Sequence, residues 1–113
     1  MDALVGRLCA EGQKVAVGGP SPSVAELQRR LTKMGYVFIK FTESRGGTDL
    51  GVRVDTGATD VSGADFAGGR GVAHIEGTLT LNTVKVRCVA DIELSTLSGT
   101  GHLIALNEGA FAG

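Results

Sequence analysis

Apolar residues in the stretch SPSVAELQRRLTKMGY recur as Val24, Leu27, Leu31 and Met34, the three-and-four spacing that lines one face of a helix. Ser21 or Ser23 can cap its start, Pro22 suits the first turn, and Ser23 with Glu26 makes a capping box. Gly35 supplies the left-handed stop, and Arg29, Arg30 and Lys33 fall on the face turned to water. The pattern predicts one amphipathic helix of about three turns.

The period elsewhere is two. KVAV reads as a possible short strand, and YVFIKFTES, DLGVRVDT, GVAHIEGTLTL, VKVRCVADIEL and GHLIALN read as strands set apart by glycine or polar turns. A two-residue turn at Asn82-Thr83 fixes the register of the third and fourth of these five. Leu81 then faces Val84, Leu79 faces Val86, Gly77 faces Cys88, Ile75 faces Ala90 and Ala73 faces Ile92, all small or apolar and hence one buried face. The other face pairs Thr80 with Lys85, Thr78 with Arg87, Glu76 with Val89, His74 with Asp91 and Val72 with Glu93. Val72, Val89, Ile104 and Leu106 add apolar spots to it, so either the helix covers part of this face or the sheet curls and the face lines a cavity. The expected fold is α+β in a single domain over residues 1–113. One helix packs on a bent antiparallel sheet, or a small β-barrel, of about five strands.

Composition narrows the chemistry. Hydrophobic residues make up 42% of the chain, but tryptophan is absent and aromatics are few, so Val, Leu, Ile and Ala must fill the core. The eighteen glycines cluster between the apolar runs, as turns in a compact sheet require. A formal net charge of −1 with scattered basic residues argues against nucleic acid as a partner. No apolar run is long enough to span a membrane, and a cytoplasmic location is expected. Cys9 and Cys88 have no CxxC spacing, so both are expected as reduced thiols, with no cofactor and no metal. Gly18-Gly19 ahead of the helix could hold a phosphate, although the spacing matches neither the dinucleotide fingerprint nor the P-loop.

Two short motifs carry resemblances. Asp55-Thr56-Gly57-Ala58, after Val52 and Val54, is similar to the catalytic motif of the retroviral-type aspartic proteases. That resemblance implies a homodimer in which two aspartates share a proton. The chain departs from the family at Arg53, in the helix that precedes the motif, and at Ile104-Ala105-Leu106, where no glycine follows until Gly109. Leu27, Gln28, Leu31, Gly35 and Tyr36 resemble the opening helix of peptidoglycan-binding repeats, which implies a three-helix module. This match ends at Tyr36, where VFIKFTESRGG replaces the family's loop.

The remaining candidates come from the hairpin register. His74 opposite Asp91 gives an imidazole a carboxylate that can fix its tautomer, the geometry of a general base. Glu76, Arg87, Glu93 and His102 are candidate ligand-binding neighbours, and His102 with His74 and Glu76 or Glu93 would be the one conceivable metal set. Lys40, Arg53 and Arg87 could favour an anionic ligand or simply keep sheet edges soluble.

Three functions follow. The first is a small non-catalytic module that uses a sheet face to bind a partner protein or a second copy of itself. The second is a small barrel that holds a small organic ligand, as an accessory or cyclising enzyme, oriented by His74, Asp91, Arg87 and Glu93. The third is the dimeric protease built on Asp55. The lack of a concentrated polar set favours binding without chemistry.

Overall fold

The computed structural model describes residues 3–20, 22–44 and 47–106. Its elements run α1 (Ala3–Leu8), β1 (Gln13–Val17), α2 (Val24–Arg29, continued by a π-helical stretch, Arg30–Met34), β2 (Tyr36–Phe41), β3 (Thr48–Val54), β4 (Ala64–Asp65), β5 (Arg70–Leu81), β6 (Val84–Glu93) and β7 (Ser98–Ala105). All strand pairings are antiparallel, in the order β3-β2-β1-β7-β6-β5-β4, and β3 also pairs with β5. Six strands therefore close into a barrel, which removes the open edges of a sheet, with β4 as an extra short strand on β5.

The expected helix forms for the expected reasons. The Ser23 hydroxyl accepts a hydrogen bond from the Glu26 amide at 3.0 Å, and Gly35 ends the helix at φ 68° with its N–H on the Arg30 carbonyl. Ser21, the other candidate cap, lies outside the described residues. Leu27 and Leu31 are buried and Val24 is half-buried, but Met34 is exposed, contrary to the helical spacing. The widened turns of Arg30–Met34 rotate it off that face. Nor does Arg30 simply face water: it bonds Glu26 at 2.9 Å and lies over the Phe38 ring.

The β5–β6 hairpin has the predicted register at every position from Leu81↔Val84 to Val72↔Glu93. Asn82 and Thr83 both take positive φ, 48° and 69°, as a tight turn matched to strand twist requires. The aliphatic face points into the barrel. Val15, Val37, Ile39, Val52, Ile75 and Ile92 are each at most 1% exposed and form one cluster with Val5 and Leu8 of α1 and Leu27 and Leu31 of α2.

The barrel is thus filled by side chains, and the second face of β5 and β6 is its outer surface. Neither expected fate of that face occurs: the helices bury their apolar residues in the same cluster as the inner face, and closure turns the polar residues outward. No described helix is long and apolar enough to cross a membrane.

Closure is narrowest between β3 and β5. Only Arg53↔Thr78 and Val54↔Gly77 pair there. Beyond them the connecting residues carry on the seam: the Asp55 amide bonds the Glu76 carbonyl at 2.8 Å, and Asp60 and His74 exchange backbone hydrogen bonds at 2.8 and 2.9 Å. Thr59 Oγ1 stands in for a strand partner, donating to the Glu76 carbonyl and accepting from the Glu76 amide, each at 3.1 Å.

Candidate functional site

The outer face of β5, β6 and β7 is a grid set by the two registers. Its rows read Val72, Glu93, Ser98; His74, Asp91, Thr100; Glu76, Val89, His102; and Thr78, Arg87, Ile104. Thr80 and Lys85 make the next row, where the Leu106 amide bonds the Lys85 carbonyl. Alternation along each strand puts all these side chains on one side of the pleat.

Five charged groups on and beside this grid are joined end to end. Asp55 Oδ2 accepts from Arg87 Nη2 at 2.9 Å, and Arg87 Nη1 donates to Glu76 Oε1 at 3.2 Å. Glu76 Oε2 lies 2.6 Å from His74 Nε2, and His74 Nδ1 lies 2.7 Å from Asp91 Oδ1. The His74 side chain is 33% exposed, Glu76 23% and Arg87 27%, so the chain of contacts is part-shielded rather than fully solvated.

Its electrostatics follow from the geometry. The carboxylates of Glu76 and then Asp91 raise the His74 pKa above the usual 6.5, against a smaller opposing effect of burial. Arg87 holds Asp55 below the ordinary carboxylate range, helped by the Gly57 amide at 3.1 Å. Asp60 is lowered mainly by hydrogen bonds from Ser62, with a smaller contribution from the charge of His74. With His74 protonated, both ring nitrogens are donors and each has a carboxylate acceptor. Neither nitrogen is left to take a proton from a substrate.

The sequence candidates fall into two groups. His74, Asp91, Glu76, Arg87 and Asp55 are brought together. Glu93 is exposed at the end of β6, outside the network, and His102 is separated from Glu76 by Val89 in its row. The metal set that would have included His102 is not assembled: among the described residues no three His, Cys, Asp or Glu side chains are grouped to hold an ion.

Asp55-Thr56-Gly57-Ala58 is a turn at the end of β3, closed by the Ala58 and Thr59 amides on the Asp55 carbonyl. Pairing with Arg87 favours the ionised carboxylate, whereas an aspartic-protease dyad keeps a proton between two carboxylates. The Gly18-Gly19 turn also has an anion already: the Gly19 amide donates to Asp49 Oδ2 at 3.1 Å. Lys40 lies on β2, whereas Arg53 of β3 and Arg87 of β6 flank Thr78 of β5 in one row.

Cys88 faces the core, where burial pushes its thiol up to about 12, and it offers no nucleophile to this face. Sequence reasoning missed Thr59 and the role of Asp55 as a counter-ion, because both depend on β3 meeting β5. Compared with known protein families and with curated proteins, the chain matches none.

Proposed function

We propose that the protein is a small non-catalytic binding module that engages another protein chain through the outer face of β5, β6 and β7. One observation carries this reading: five ionisable groups on and beside that face, three carboxylates with one guanidinium and one imidazole, are satisfied by one another, so this part of the face presents an ordered, pre-paired surface instead of a reactive group. His74 is held at both nitrogens, and Arg87 bridges Glu76 and Asp55.

Apolar side chains cross the same grid. Val72 and Ile104 are 46% and 43% exposed, and half-buried Val89 lies between their rows. Apolar positions set among pre-paired charges suit a protein interface, because the charges need not be stripped of new partners when water leaves.

Light scattering over a concentration series separates a second copy from a different partner. A photo-crosslinking residue at Ile104 should give a discrete adduct that disappears when Val89 is replaced by Glu. A strict monomer with no adduct at Ile104 would remove the reading.

A further inference from the structure

We propose that a groove at the hairpin end of the barrel's outer surface binds a small organic anion with an apolar tail, its charged group held by Arg53, Thr78 and Thr80. Thr78, Thr80 and Lys85 belong to the outer-face grid, but the proposal does not depend on that face binding a protein. The groove, of about 440 Å³, is lined by those three residues together with Leu79, Lys85, Val86 and Leu106. That volume lies within the usual range for small-molecule sites.

Four arginines pair with carboxylates: Arg29 and Arg30 with Glu26, Arg70 with Asp65, and Arg87 with Asp55 and Glu76. Arg53 has none among the described residues, and the Thr78 and Thr80 hydroxyls are likewise without a hydrogen-bond partner. Register explains why they converge: Arg53 is directly opposite Thr78 at the β3–β5 seam, and Thr80 is two residues further along the same face of β5.

Among the described residues no acidic side chain lines the groove. A guanidinium presents a planar fork that matches carboxylate or phosphate oxygens, and the hydroxyls can donate to the same group. Leu106 is 46% exposed, which gives an apolar tail a surface to cover. The shared ligand chemistry is therefore an oxyanion joined to a short hydrocarbon.

The test is a titration of 15N-labelled protein with decanoate, decyl phosphate, decanol and inorganic phosphate, followed by amide shifts. Decanoate or decyl phosphate should saturate, with the largest changes at Thr78, Thr80, Lys85 and Leu106; whichever binds more tightly identifies carboxylate or phosphate as the head group. Decanol and inorganic phosphate should each bind at least about tenfold more weakly, the scale of one charge-assisted hydrogen bond. Arg53→Gln should raise Kd about tenfold, and Thr80→Val, which leaves the guanidinium in place, should raise it several-fold. Absence of saturation by both decyl anions, equal binding of decanol, or an unchanged Kd in both variants would overturn the proposal. The crosslinking result at Ile104 is read separately, so either idea can fail alone.

Discussion

Replacing Gly77 by Ala should open the barrel at its narrowest seam. Gly77 is opposite Val54 on β3 and Cys88 on β6, so both neighbours approach its backbone closely. An added Cβ would lie 2.2 Å from the Arg53 carbonyl oxygen, 2.6 Å from Val52 Cγ1 and 2.9 Å from the Arg53 carbonyl carbon. Side-chain Cβ atoms essentially never come within 3.0 Å of such neighbours, so β3 must retreat by at least the difference between 3.0 and 2.2 Å, about 0.8 Å. Two ladder pairs hold that seam, and the obstructing oxygen is main chain, which cannot swing aside as a side chain would. The expected cost is about 2–3 kcal/mol, the range for overpacking a well-filled site. For a domain of this size that lowers Tm by about 10 °C.

Gly57→Ala is the control, because its Cβ would meet only Asp55 Oδ1, at an ordinary 3.5 Å. Urea titrations followed by circular dichroism should place Gly57→Ala within about 0.5 kcal/mol of the parent and Gly77→Ala well below it. Equal stability of the two variants would refute closure through β3 and β5.

Other expectations follow from single residues. His74 has a raised pKa, so its ionic contribution is complete below its unfolded value near 6.5 and is lost as pH rises through the folded value. His74→Gln should therefore cost about 1 kcal/mol at pH 6, allowing for partial exposure, and less at pH 9; a parent-minus-variant difference that does not change with pH contradicts this. Thr83 is β-branched at φ 69°, so Thr83→Gly should stabilise by about 0.5–1 kcal/mol in urea unfolding, and destabilisation would count against the turn geometry. Cys88, with its thiol near 12 and 1% exposed, should resist iodoacetamide until the protein unfolds, as mass spectrometry of native and urea-treated samples would show; rapid native alkylation would mean an open core.

The hairpin was legible in the sequence because its information is local. Alternation over Val72–Leu81 and Val84–Glu93, with a two-residue turn between them, admits few registers that bury one face. His74 opposite Asp91 followed at once, and so did Glu76 two residues along the same side. The Asp55–Arg87 pair did not, since it depends on β3 returning to β5, a contact between distant segments that no periodicity encodes.

The insertion of β1 between β2 and β7 was hidden for the same reason. α1 is six residues long and shows its core role only through Val5 and Leu8, too short a pattern to register. Met34 was misplaced because a helical spacing assumes a regular helix, and this one widens over its last residues. The Arg53 groove was invisible because its donors converge only after the barrel closes. The end of the last predicted strand, at Asn107, lies outside the described residues.

The account turns on His74 being engaged at both nitrogens, the observation on which the proposal of a binding face rests. Imidazole 15N resonances of the selectively labelled protein, recorded from pH 5 to 9, report that state directly. The account predicts two protonated, hydrogen-bonded nitrogens at pH 6.5 and a midpoint above that value. A neutral ring at pH 6 with one nitrogen open to solvent would contradict it.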